Sequence, residues 1–278
     1  MIYDFHMHTI NSDGSLPAYE LVKLAKQANV DVMCITDHDT LSSITEAEKL
    51  SKIEKDIEIH GGLEISTYIS SANRHAHILA YRCNKDNKAL KAMVDTTLKR
   101  RTESFYKSVD IINKHGDFQI EISELEKYKK SDGMYKQHIM KYLLDAGYVD
   151  DLNSDVKRKM FSRSSGYAFV GFEYPECTYA IEAVRNAGGI PVLAHTFYSD
   201  NFHAVDEMIE AGLMGIEVYH PKHNEHQMQL LDEFCMKRNL LETCGSDFHG
   251  IFNDVDTDIG KTSVDNSKIR EFLEFLRK

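Results

Sequence analysis

Histidines and carboxylates recur in this chain at the ends of short apolar runs. The first group is His6-Met7-His8. Side chains alternate along extended chain, so His6 and His8 project to one face and can share a cation. Asp13 follows in the polar loop Asn11-Ser12-Asp13-Gly14, where taken alone it reads as a turn residue or helix-start acid before it reads as a ligand. Thr36-Asp37-His38-Asp39 follows the run 32–35, Gly61-Gly62-Leu63-Glu64 follows the run 57–60, and His75 and His77 sit in the run 76–81 or just before it. Leu193-Ala194-His195, Glu217-Val218-Tyr219-His220 and Gly245-Ser246-Asp247-Phe248-His249 close the last three runs. Ionisable groups gathered on one rim repel and resist desolvation unless a cation balances them. No candidate is a cysteine, and a His/Asp/Glu mixture suits zinc, manganese or iron(II) better than a structural thiolate site. The candidates are too many for one coordination sphere, so a cluster of two or three divalent metal ions is expected.

The elements that must position these groups are legible in the same pattern. Apolar runs at 2–5, 32–35, 57–60, 76–81, 190–194, 215–219 and 240–243 read as strands. Helical patterns near 17–29, 41–53, 176–188, 203–212, 223–238 and 266–277 lie between or after them. Alternation of strand and helix predicts an α/β protein with a parallel sheet or barrel, whose C-terminal strand ends carry the chemistry. Local punctuation agrees: Leu16-Pro17 opens a helix, Asn29 stops one, and Ala187-Gly188-Gly189 turns a helix into a strand. From 85 to 174 the rhythm breaks. This stretch is charged and helical, with segments near 87–114, 121–130, 134–146 and 150–161. It is expected to be a helical insertion or cap, leaving 1–84 and 175–278 as one discontinuous barrel.

Composition narrows the function classes. The chain has 278 residues, 42% hydrophobic and 28% charged, which is globular composition. It has no apolar run long enough to span a bilayer, and MIYDFHMHT lacks the basic and apolar regions of a signal peptide. The five cysteines are scattered, never paired as CxxC, and fit reduced thiols in a cytoplasmic protein. The net charge of −11 argues against a protein that coats nucleic acid non-specifically. It leaves open an enzyme that grips one nucleotide or one strand end.

Taken together, His6-x-His8, Asp13, Thr36-Asp37-His38, Glu64, His77, His195 and Gly245-Ser246-Asp247-x-His249 resemble the ligand set of the PHP (polymerase and histidinol phosphatase) family. The match spans residues 6 to 249. The resemblance implies a distorted seven-stranded (β/α) barrel of PHP type with a helical insertion and metals at the C-terminal rim. It implies a metal-dependent phosphoesterase that hydrolyses nucleoside 3′,5′-bisphosphates or RNA 5′ ends by a metal-activated hydroxide. It also implies the metal partition. His6, His8, Glu64 and Asp247 would hold one ion, Asp13, His38 and His249 a second, and His77 and His195, with Glu64 bridging, a third. His75 does not fall on the family's positions.

Substrate contacts are less sharply marked. Arg101, Lys136, His138 and His223 are the candidates for binding phosphate. Lys136 and His138 are preferred, because they stand where relatives carry Arg-x-His. Lysine there keeps the charge but loses the bidentate fork. His195-Thr196 replaces the relatives' His-Pro, and Gly171-Phe172 replaces their Pro-His. His220 is expected to orient the substrate or assist leaving-group protonation. Asp37 is expected either to act in catalysis or, like Asp39, to orient ligands or cap. The aromatics Tyr167, Phe169, Phe172 and Tyr174 are expected to pack the insertion on the barrel, with base stacking as the alternative. Two other functions share the metal set: histidinol-phosphate phosphatase and a non-catalytic metal-binding module.

Overall fold

The computed structural model describes residues 1–129, 133–152, 155–253 and 255–278. The end of the helix expected at 121–130 and part of that expected at 150–161 lie outside the described residues. Seven strands form one sheet in sequence order: β1 Tyr3–Asp4, β2 Val32–Ile35, β3 Glu58–Ile69, β4 Arg74–Tyr81, β5 Ile190–Leu193, β6 Gly215–Tyr219 and β7 Leu241–Cys244. The two edges nearly meet. The amide of Phe5 donates to the Cys244 carbonyl at 3.0 Å, that of His8 to Phe248 at 2.9 Å, and that of Asp247 to His6 at 2.9 Å. The sheet is thereby a nearly closed barrel.

Its helices are α1 Ala18–Gln27, α2 Ser42–Ile53, α3 Lys88–His115, α4 Ile122–Leu125, α5 Lys136–Asp145, α6 Asp155–Phe161, α7 Cys177–Asn186, α8 Val205–Glu210, α9 Glu225–Arg238 and α10 Ser267–Arg277. Their ends follow local chemistry. Asn87 caps α3 by accepting from the amides of Ala89 and Leu90, and Gly116 closes it in the left-handed region at φ 92°. Asn266 caps α10 by accepting from the Ile269 amide at 2.8 Å.

The expected all-parallel order does not hold throughout. β1–β2–β3 and β5–β6–β7 are parallel, but β4 runs antiparallel to both β3 and β5. The reason lies at Gly61-Gly62, which reads in sequence as the end of a strand. A Cβ on Gly61 would sit 2.5 Å from the Ile44 Cα, so glycine serves there to let α2 approach the sheet. β3 continues through it to Ile69 and turns back into β4. Glu64 therefore lies within a strand, not after one.

The insertion separates β4 from α7. The start of α3 packs on the barrel, where Leu90, Met93 and Val94 meet Ala180 and Val184 of α7. Its later part joins α4, α5 and α6 in a separate apolar cluster around Phe105, Val109, Ile139, Leu143 and Met160. Polar contacts tie this segment to the barrel rim. The Tyr135 hydroxyl donates to the His38 carbonyl at 2.6 Å, Gln137 Nε2 donates to Asp13 Oδ2 at 2.9 Å, and Arg101 pairs with Asp39.

Candidate metal and phosphate site

The barrel interior brings the nine sequence candidates for metal binding to one place. β1 ends at Asp4, so His6 and His8 lie just past the strand. The alternation still holds: Met7 turns into the apolar core beside Met33 and Ile35, and the two imidazoles face the barrel axis. Four atoms gather there. His6 Nε2 is 3.1 Å from His8 Nε2, and both are 3.2 Å from Glu64 Oε2. Asp247 Oδ1 is 3.4 Å from His6 Nε2 and 3.3 Å from His8 Nε2. Ligand atoms on one ion at bond lengths of about 2.0–2.1 Å would have this spacing.

A second group is His8, Asp13, His38 and His249, and a third is His38, Glu64 and His77. His249 Nε2 lies 3.3 Å from Asp13 Oδ1, and His38 Nδ1 lies 3.2 Å from Glu64 Oε2. His77 Nδ1 and His195 Nε2 both reach Glu64 Oε1, at 2.7 and 3.0 Å. The third group thus includes His38 where the family partition has His195, although His195 meets the same carboxylate oxygen.

The residues fit a cation. Buried His8 Nδ1, His38 Nδ1 and Asp13 Oδ1 lack hydrogen-bond partners. Neighbours fix which nitrogen of two rings is free to ligate. His6 Nδ1 donates to Glu217 Oε1 at 2.9 Å, and His249 Nδ1 donates to the Asp247 carbonyl at 2.8 Å. Each Nε2 lone pair is left facing the cluster. Without a metal, protons take over the neutralising role. Burial works against charge on His8, but Asp247 and Glu64 overcome it and push its pKa up to about 10. Burial also opposes charge on Glu64, yet His38, His77 and His6 hold it well below the usual carboxylate range. Burial dominates at His38 and pulls it down to about 3, the neutral form a metal requires. Backbone strain collects here too, with Asp39, His195 and Asp247 at φ 50°, 28° and 52°.

The cluster forms the floor of a cleft of about 630 Å³. Lys136, Arg163, Lys222 and Arg74 bring positive charge to its walls. Lys136 also lines a second cavity of about 170 Å³, together with Arg101. Burial, with Arg163, Arg101 and Lys157 nearby, lowers Lys136 to about 8.

Three expectations for substrate or catalytic residues change. His138 lines neither cavity: its Nδ1 accepts from the Tyr135 amide at 3.2 Å and caps α5. His223 is likewise buried away from both, its Nδ1 donating to the Val218 carbonyl at 3.0 Å. Asp37 is fully buried and committed to the Thr9 amide, the Thr9 hydroxyl and the Ser12 hydroxyl at 2.7–2.8 Å. It holds the loop that carries Asp13 and does not reach the cleft. His220, by contrast, lines the cleft: its Nδ1 accepts from the Lys222 amide, and its buried Nε2, 3.4 Å from Asp247 Oδ2, makes no hydrogen bond.

Sequence reasoning passed over Glu217, Lys222 and Arg163. Glu217 was visible as one more acid at a strand end. Lys222 follows His220 by two residues, and Arg163 carries no motif at all.

A PHP domain model matches residues 4–158, more than half of the chain. The chain belongs to the PHP domain family. It is 31% identical over 256 residues to a phosphoribosyl 1,2-cyclic phosphate 1,2-diphosphodiesterase from Eggerthella lenta, covering 92% of this chain and 97% of that protein. It is 31% identical to a 5′-3′ exoribonuclease from Haemophilus influenzae, covering 89% of each. A crystal structure of a candidate metal-dependent phosphoesterase from Bifidobacterium adolescentis superposes with a TM-score of 0.87 at 27% identity, covering 98% of this chain and 96% of that one. This PHP chain is a hydrolase acting on phosphate esters. No helix among the described residues is long and apolar enough to cross a membrane.

Proposed function

We propose that this PHP protein hydrolyses phosphate esters of nucleotides, either nucleoside 3′,5′-bisphosphates or RNA 5′ ends, with two or three divalent ions held by the nine-residue cluster. The observation that carries the reading is the shared cleft: an acid-and-imidazole floor beneath Lys136, Arg163 and Lys222. A floor of that kind suits cations, and cationic walls suit the phosphate brought against them. His6, His8, Glu64 and Asp247 would hold one ion. Asp13, His38 and His249, with His77 and His195 around Glu64, would hold the rest. Manganese, zinc and iron all suit the donor set. Bound there, such ions supply Lewis acidity toward phosphoryl oxygens and lower the pKa of water.

The chain's own residues do the positioning. Glu217 fixes the tautomer of His6, Gln137 donates to Asp13, and His220, lining the cleft beside Asp247, orients the substrate or assists leaving-group protonation. Lys136, Arg163 and Lys222 bind non-bridging phosphate oxygens, and residues 85–174 act as a cap over the cleft. The cytoplasmic setting remains part of this proposal.

The test is phosphate release from adenosine 3′,5′-bisphosphate, AMP, histidinol phosphate and a short 5′-phosphorylated RNA, with Mn²⁺ and with chelator. Manganese-dependent turnover of the bisphosphate or the RNA supports the reading. Turnover of histidinol phosphate alone overturns it.

A further inference from the structure

We propose that an aromatic strip beside the cleft is a stacking subsite for the base of a second nucleotide, so that the enzyme accepts oligonucleotides. The inference rests on the nucleotide phosphoesterase reading above and extends it outward from the metal cluster.

The β3–β4 hairpin supplies the ruler. His77 pairs with Ser66, and the next pair on the same face is His75 with Tyr68. Two residues of strand advance about 7 Å, close to one nucleotide of an extended single strand. One such step from His77, at the cluster, leads to an aromatic surface. The His75 ring lies 5.2 Å from that of Tyr68 and 4.8 Å from that of Tyr174, and Tyr174 lies 4.2 Å from Phe172. All four side chains are partly exposed. They line a groove of about 470 Å³, and His75 also lines the main cleft, so it stands between the two spaces.

Packing the insertion on the barrel does not require four adjoining rings to keep contact with solvent. Aromatic side chains beside a phosphate site are what single-stranded nucleic acid stacks on, whatever its sequence. Charge agrees with this occupant. Arg163 stands on the cleft wall with His75, where a linking phosphate would pass, and Arg74 beside it is paired with Asp200. The acids of the groove are already engaged, Glu173 with Arg100 and Glu176 with Ser70. A local cationic step of this kind is compatible with a net charge of −11.

The experiment compares kcat/KM for a 5′-phosphorylated RNA trinucleotide, the same trinucleotide abasic at its second position, and adenosine 3′,5′-bisphosphate, all with the Mn²⁺-loaded enzyme. The abasic substrate is expected to lose about tenfold against the intact one. Tyr174→Ala should lose about tenfold on the intact trinucleotide and less than twofold on the bisphosphate, and Tyr174→Phe should keep both. Equal kcat/KM for intact and abasic trinucleotides overturns the subsite, and so does an inert trinucleotide beside an active bisphosphate. The abasic comparison needs no variant and decides the matter should Tyr174→Ala fail to fold. Silence of the unmodified enzyme on every substrate overturns the nucleotide reading itself, and the subsite with it.

Discussion

Glu217 places one carboxylate oxygen 2.9 Å from His6 Nδ1 and the other 3.0 Å from the backbone nitrogen of His195. One buried side chain on β6 thereby positions residues that follow β1 and β5. Glu217→Gln removes the charge that holds the His6 proton on Nδ1. Second-layer changes of this kind cost about 10- to 100-fold in metal affinity. Titration against a competing chelator should show that loss with an unchanged far-ultraviolet circular dichroism spectrum. Wild-type affinity in the variant would remove Glu217 from the site.

Lys136 stands between both cavities, and burial with neighbouring cations lowers it to about 8. Its charge is present below that pH and lost above it, so KM for a phosphate ester should rise as pH passes from 7 to 9. Lys136→Ala should raise KM at pH 7 by about 10- to 100-fold, as expected for a lost charged hydrogen bond, with kcat changed only a few-fold. A flat KM profile in the wild type would contradict the assignment.

Asp37 satisfies three donors in the loop that leads to Asp13. Asp37→Ala leaves those donors buried and unpaired, a cost of about 2–4 kcal/mol. Denaturant melts should register it. A variant of wild-type stability that is nevertheless inactive would restore a direct catalytic role.

Much of this site was legible in sequence because strand ends carry it. His6, His8, His38, His195, Asp247 and His249 all sit at or just beyond apolar runs, and the barrel delivers them to one rim. The β3–β4 hairpin was not legible, because Gly61-Gly62 has the form of a terminator and only the nearness of α2 explains it. His138 and His223 were misread for a different reason. A histidine that caps a helix or bonds a carbonyl has the same letter as one that grips phosphate, and only tertiary contacts separate them. Arg163 and Lys222 escaped because a solitary cation acquires meaning only from the wall it lines.

Glu242 offers a check on the fold away from the cluster. Burial, with Asp232 beside it, raises this carboxyl from 4.5 to about 7, while a hydrogen bond from Asn266 works in the opposite direction. The folded state therefore binds the proton more tightly than the unfolded state does. Stability falls as pH rises from about 4.5 to 7, and the penalty is complete above that. Glu242→Gln should match the wild type near pH 4.5 and exceed it by about 1–3 kcal/mol at pH 8. Urea melts at the two pH values measure the difference, and an equal gap at both would contradict the assignment.

The central claim is that the His/Asp/Glu floor holds the ions on which phosphoester hydrolysis depends. The most direct measurement is phosphate release from adenosine 3′,5′-bisphosphate by the wild type with Mn²⁺, the wild type with chelator, and Asp247→Ala with Mn²⁺, alongside metal content by elemental analysis. The account predicts turnover only in the first, with two or three ions per chain, and a folded Asp247→Ala that has lost at least one ion and its activity. Undiminished turnover by Asp247→Ala or by the chelated enzyme would contradict it.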